Sequence, residues 1–328
     1  MKALVVSCGL ACVAMLTLAA CGGGNDGNKD KLVVALDWFP NADHAGLYVA
    51  QAKGFFGDEG LDVELQVPAN PEDPPKFAAT GRVDVAISYQ PDVIQAKAEG
   101  LPITAIGAIV PVPLNSIQTL KTSGIASPKD LGGKKVGYPG IPSNEAYLQT
   151  VLKKAGVDPK SVQLVDVGFD LSPALRGKKV DDTIGSYWNV EAVQADLEGY
   201  PVSVFKLQDW GVPTYDELVF ITSEKNATQS KARDKLRRFL KAVARGHQYA
   251  ADHPDEAIDA VAKANPEMEK ELIARGVRLL VPVWANMKPF GKMDTAKWEA
   301  FVRFLDDNKL IAKRPRMDTL LTNDLVPK

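Results

Sequence analysis

What this chain lacks narrows it quickly. Its three cysteines, Cys8, Cys12 and Cys21, all precede residue 22 of 328. The body that follows therefore has no disulfide, no thiol nucleophile and no cysteine metal site. Histidine is almost as scarce, with only His44, His247 and His253. They form no His-x-x-x-His or Glu-x-x-His set, and neither a Gly-x-Ser-x-Gly elbow nor a Walker loop occurs. Excess charge is missing too: 39 Lys plus Arg face 41 Asp plus Glu, a net charge of -2. That excludes a broad basic field, so nucleic acid is not an expected partner. After residue 20 no apolar run reaches the roughly 18 residues of a membrane span. What is present is a chain 45% hydrophobic and 24% charged, long enough for two domains with their own cores.

The first 20 residues read as an export signal. Lys2 is the only charge before Asp26, and residues 3–20 are apolar or small. They run into Leu18-Ala19-Ala20-Cys21, which resembles the bacterial lipobox, where the signal is cut before a cysteine that is then lipidated. The alternative is a membrane helix over residues 4–20, at the short limit for a span and without flanking charge. On the lipobox reading Cys21 carries the anchor, and more than one acyl chain is needed for stable attachment. Residues 21–31, opening with Gly22-Gly23-Gly24, read as a flexible tether. The expected location is the extracytoplasmic face of a cell membrane, periplasmic or exterior.

From residue 32 short β-rich runs alternate with helical ones. Strands are expected at 32–36, 61–67, 83–88 and 103–110, with helices at 41–53, 77–80 and 91–99 between them. The order restarts with strands at 134–138, 162–167, 183–187 and 202–206 and helices at 143–155, 172–176 and 189–197. After a strand at 217–223 the chain is helical at 232–252, 254–264, 267–280 and 295–308. The stripe Trp298, Phe301, Val302, Leu305 reads as packing. This is an α/β chain with two parallel-rich sheets flanked by helices. Residues 32–113 and 221–328 form the first lobe and 114–220 the second, with a hinge between. One local echo links the halves: Gly81-Arg82-Val83-Asp84 before Ile87-Ser88-Tyr89, and Gly177-Lys178-Lys179-Val180-Asp181 before Ile184-Gly185-Ser186-Tyr187. Chance and a true repeat both account for it.

Ligands of such sheets bind beyond the carboxyl ends of the strands. Four turns there combine an aromatic with polar groups at a helix start: Asp37 to His44, Ser88 to Asp92, Tyr138 to Asn144, and Tyr187 to Glu191. Facing rings can sandwich a planar heterocycle, and Glu191 can accept from its amino groups or share a proton with a ring nitrogen. Each residue also has a plainer reading. Trp38 caps a sheet end, Asn41 caps its helix, and Asp37 and Asp43 are turn formers. His44 donates to a carbonyl, Glu191 is solvated, and Trp210 covers the hinge rather than the cleft edge.

The segment Leu36-Asp37-Trp38-Phe39-Pro40-Asn41-Ala42-Asp43-His44-Ala45-Gly46-Leu47-Tyr48-Val49-Ala50, with Lys53-Gly54-Phe55-Phe56 and Glu59-Gly60-Leu61-Asp62-Val63, resembles the thiamine-pyrimidine group of the type II periplasmic-binding-protein superfamily. That group includes lipid-anchored receptors of ABC importers and the fungal thiamine pyrimidine synthase. The resemblance implies a two-lobed trap that closes on an aminopyrimidine and docks on a membrane permease. It implies a monomer without cofactor, and no catalysis. It places Trp38 and Asn41 in the pyrimidine pocket, and Tyr187, Trp188 and Glu191 in its aromatic and acidic wall. His44, Tyr89, Asp92, Tyr138 and Gly140 complete the expected ligand-binding set. The loop Gly137 to Gly140 matches one that holds phosphate in the synthase. The synthase's sacrificial histidine and its pyridoxal-phosphate lysine are absent, since Asp92 and Ser88 occupy those positions, and so is its cysteine-rich iron motif. Relatives of this shape also bind riboflavin, alkanesulfonates or nitrate, so riboflavin and other planar heterocycles stay open as ligands, as does a secreted synthase-like enzyme.

Overall fold

The structure, a computed structural model, describes residues 29–328. The expected signal, the expected lipidation site Cys21 and most of the expected tether lie outside them. Among the described residues no helix is long and apolar enough to cross a membrane.

Among the described residues ten strands form two five-stranded sheets of the same design. The first holds β1 (Asp30–Ala35), β2 (Leu61–Gln66), β3 (Val85–Ser88) and β4 (Ile103–Val110). The second holds β5 (Asn115–Leu120), β6 (Lys135–Tyr138), β7 (Gln163–Asp166), β8 (Asp182–Tyr187) and β9 (Val202–Lys206). The last strand, β10 (Leu218–Ser223), returns to the first sheet. The orders are β2-β1-β3-β10-β4 and β7-β6-β8-β5-β9. In each, four strands run the same way, and the remaining one, contributed after or before the lobe's own βα units, is antiparallel to both neighbours. The parallel strands are joined by helical crossovers, which cover the faces and account for the unbroken apolar runs.

The echo falls on equivalent places. Gly81 and Lys178 both take left-handed backbone, at φ 73 and φ 55, where a helix ends. Three residues on, Asp84 N–H donates to the Val33 carbonyl of β1 at 3.0 Å while its carboxylate accepts from Val33 N–H at 2.9 Å. Asp181 does the same to Lys135 of β6, at 2.8 Å for both bonds. Each lobe thus aligns its third parallel strand on its first by one aspartate.

The chain crosses to the second sheet between Val110 and Asn115 and returns between Lys206 and Leu218. One expected edge shifts, since β1 begins at Asp30, inside the expected tether, while β10, expected at 217–223, runs Leu218–Ser223. One strand, β5, has no counterpart in the sequence reading. Its run Asn115-Ser116-Ile117-Gln118-Thr119-Leu120 is mostly polar, yet every residue is buried. It is tolerated because these side chains are bonded: Ser116 Oγ donates to the Ser186 carbonyl at 2.7 Å, and Gln118 Nε2 to the Tyr187 carbonyl at 3.1 Å.

The C-terminal helices pack on the first sheet. Helix Ser230–Asp252 crosses helix Ala45–Ala52 at glycine, where a Cβ on Gly246 would lie 2.1 Å from the Gly46 carbonyl. Only hydrogen at that position lets the two backbones meet. Trp298, Phe301, Val302 and Leu305 are buried in the core as the stripe implied. Trp210 is half-buried against the same core.

Candidate ligand-binding cleft

Four residues come from the first lobe. Asp37, Trp38, Asn41 and Tyr89 line one wall of a cleft between the sheets. Asp37 and Trp38 follow β1, and Tyr89 follows β3, so all stand at carboxyl strand ends. Asp37 is held from two sides. Its Oδ2 accepts from Tyr89 Oη–H at 2.9 Å, and its Oδ1 faces His44 Nε2 at 2.9 Å. His44 Nδ1 accepts from Asn41 N–H at 3.2 Å, which leaves Nε2 as the protonated nitrogen that donates to Asp37. His44 is only 1% exposed and does not line the cleft. The expectation that it meets ligand is therefore corrected: it fixes Asp37 from behind. Asn41 is both cap and wall, since its Oδ1 accepts from Asp43 N–H at 2.8 Å while the residue borders the cleft.

The second lobe supplies Asn115, Asn144, Tyr187 and Glu191. Asn115 Nδ2 donates to Asn144 Oδ1 at 2.7 Å, and Asn115 Oδ1 accepts from Gly185 N–H at 3.0 Å. Glu191 Oε2 accepts from Tyr187 N–H at 2.6 Å. Burial pushes the Glu191 carboxyl up to about 7, against the pull of that bond. A carboxyl poised near neutrality can both give and take a proton with a ring nitrogen. Glu217, on the returning segment, closes the floor. Its Oε2 accepts from Leu114 and Asn115 N–H at 2.6 and 2.9 Å, and its Oε1 from Tyr187 Oη–H at 3.3 Å. One side chain thus ties both crossing segments to the cleft wall.

Three expected residues stand elsewhere. Trp188 turns to the hinge, its Nε1 donating to the Pro113 carbonyl at 3.1 Å. Tyr138 is half-buried against the core rather than in the cleft. Gly140 sits between the lining residues Pro139 and Ile141 with φ 79, and a Cβ there would lie 3.2 Å from Asp166 Oδ2 and from Glu72 Oε1. Two carboxylates beside this loop oppose a phosphate, so the phosphate-holding loop implied by the resemblance is not reproduced.

The lobes are closed on each other. Asp92 of the first lobe accepts from Ser143 of the second at both oxygens, Oγ–H at 2.7 Å and N–H at 3.2 Å. Asp92 is thus a latch rather than part of the lining. On the other flank Asn189 Nδ2 donates to Asp43 Oδ1 at 2.8 Å. Burial lifts both aspartates to about 7. At the mouth Phe169 of the second lobe meets Trp38 at 4.6 Å and 73°, and Phe39 at 4.5 Å. The free space between the walls is about 20 Å³, little more than one water requires. A ring enters only when the lobes part.

Phe169, Asn115 and Glu217 were not singled out from sequence. Phe169 follows β7 at a carboxyl strand end, the same signal that marked the other four turns. Asn115 went with its unread strand, and Glu217 read only as the start of β10. Among the described residues no cluster of His, Cys, Asp and Glu could hold a metal ion.

Comparison with known proteins fits this geometry. The formylaminopyrimidine-binding protein of Halalkalibacterium halodurans is 38% identical over 302 residues, 90% of this chain and 91% of its own. The 4-amino-5-hydroxymethyl-2-methylpyrimidine phosphate synthase of Legionella pneumophila is 27% identical over 301 residues, 91% of this chain and 93% of its own. A Candida albicans protein described as having the generic periplasmic binding protein fold superposes with a TM-score of 0.68 at 18% identity, covering 92% of this chain and 98% of that one. The NMT1/THI5 like family model matches residues 41–257. With two thirds of its length under that model and a relative this similar over nine-tenths of it, the chain belongs to the NMT1/THI5 like family.

Proposed function

We propose that this protein is the extracytoplasmic solute receptor of an ABC importer and captures a thiamine pyrimidine precursor of the formylaminopyrimidine type for salvage. The carrying observation is the closed slot between two hinged lobes, with Tyr89 and Tyr187 on opposite walls and the Glu191 carboxyl beside them. An aminopyrimidine presents a ring nitrogen next to an amino group, the acceptor–donor pair that a carboxyl near neutrality matches. The receptor at 38% identity, which binds formylaminopyrimidine, supports the same ligand. Anchoring through Cys21 and delivery to a membrane permease belong to this reading.

Binding without catalysis is part of it. Asp92 engages Ser143 with both oxygens, a lobe-to-lobe contact that supports a holding role over a chemical one. The carboxylates of Asp166 and Glu72 beside Gly140 favour an unphosphorylated ligand over a phosphorylated product. Titration of tryptophan fluorescence with formylaminopyrimidine tests the reading. Saturable quenching or shift at micromolar ligand is expected. A preference for riboflavin of about a hundredfold (near 2.7 kcal/mol), or turnover with iron and pyridoxal phosphate, overturns it.

A further inference from the structure

A second chamber adjoins the slot. It measures about 140 Å³ and shares Tyr89 and Ile141 with the slot as a common boundary. Its body is apolar, from Pro75, Ile87, Leu101 and Pro142. Two buried polar atoms in its lining are unpaired among the described residues: Ser88 Oγ, on a residue 1% exposed, and Gln95 Oε1. Buried polar atoms without partners are costly and rare in native proteins, and a cavity beside them is where a partner fits. Lys76, Glu72, Asp92 and Glu99 also line the chamber, Asp92 with both oxygens engaged by Ser143.

The unpaired pair is specific in chemistry. A hydroxyl can donate once and also accept, while an amide oxygen only accepts. The complement is a neutral group with one carbonyl and one N–H, which is what a formylamino substituent carries. We infer that this chamber receives the formylamino arm of the cleft ligand, Ser88 donating to the formyl oxygen and Gln95 accepting the N–H. The inference rests on the pyrimidine reading above and extends it, by naming the residues that separate a formylaminopyrimidine from a hydroxymethylpyrimidine. A hydroxymethyl arm is shorter and carries its donor and acceptor on a single oxygen, so it matches the separated pair less well than a carbonyl and an N–H do, and a site built to bond a group disfavours the analogue that lacks it.

The test is calorimetric titration of both pyrimidines against the wild-type chain and the variants Ser88→Ala, Gln95→Leu and Ala96→Phe. Ala96 lines the chamber and not the slot, so a phenyl there fills the chamber directly. The wild-type chain is expected to favour the formylamino ligand, and each variant to cut that ratio by about tenfold. Thermal melting confirms which variants fold, and Ser88→Ala, the smallest change, carries the result if Ala96→Phe does not. A wild-type ratio near one, or variants that weaken both ligands equally, means the chamber holds water alone and overturns the inference while the functional reading stands. Failure of either pyrimidine to bind the wild-type chain overturns that reading, and this inference with it.

Discussion

Tyr89 and Tyr187 close the third parallel strand of their respective sheets and face one slot from opposite lobes. Each hydroxyl donates to a carboxylate at the cleft, Tyr89 to Asp37 at 2.9 Å and Tyr187 to Glu217 at 3.3 Å. The same piece of fold, used twice, supplies the two walls of the slot. Tyr187 adds something Tyr89 does not: its carboxylate also holds the crossing segments at Leu114 and Asn115, so the wall and the hinge move together.

Glu191 is expected to carry the recognition of the ring. Glu191→Gln keeps the acceptor for Tyr187 N–H but loses the proton shared with a ring nitrogen. Affinity for the aminopyrimidine should fall about tenfold or more, the cost of a charge-assisted bond. Trp38→Ala should weaken binding and remove most of the fluorescence response. Wild-type affinity in the glutamine variant would place the ring elsewhere.

Closure should take up protons. Burial raises Asp43 and Asp92 from 3.8 to about 7 in the closed form, and an open cleft returns them to water. The closed form then binds more protons than the open one between those values. Its stability falls as pH rises through that window and recovers as pH falls. Small-angle scattering of ligand-free protein should give a larger radius of gyration at about pH 8 than at about pH 5. Asp43→Asn with Asp92→Asn should flatten the difference, and a change of opposite sign would refute the latch.

His44 should act through Asp37. Its removal leaves a carboxylate only 2% exposed with one bond fewer, at a cost of about 1–3 kcal/mol. His44→Ala should lower the melting temperature and also weaken ligand binding, because Asp37 lines the slot. His44→Gln, which can still donate, should restore part of both.

The two lobes differ at one left-handed residue, glycine in the first and Lys178 in the second. A side chain in that conformation costs about 1 kcal/mol. Lys178→Gly should therefore stabilise by about 0.5–1 kcal/mol, and Gly81→Lys destabilise by a similar amount. Chemical denaturation measures both, and an unchanged midpoint would show that the second-lobe turn relaxes.

Lobe contact should be sensitive to one hydrogen atom. A Cβ on Gly276 would lie 2.6 Å from the Ala42 Cβ and 3.1 Å from the Asn189 carbonyl across the cleft. Gly276→Ala should hold the lobes apart, seen as weaker ligand binding and a larger radius of gyration. Unaltered affinity would mean that neighbouring residues yield at no cost.

Much of this molecule was written along the chain. Apolar runs such as Ile103 to Val110 became strands because burial on both faces demands continuous hydrophobicity, and Asn41 marked a helix start because its side-chain oxygen accepts from the first turn. Alternation of strand and helix is enough to require two covered parallel-rich sheets, and the turns at their carboxyl ends to propose a cleft. Tertiary structure decided what no local pattern records. It made the polar run of β5 a buried strand, because its partners lie on β8 and β9, far along the chain. It turned Trp188 to the hinge, set His44 behind Asp37 and gave Asp92 to Ser143. Periodicity reports which face of an element is dry; which dry residues meet a ligand and which meet each other depends on how two lobes close, and that is fixed only in three dimensions.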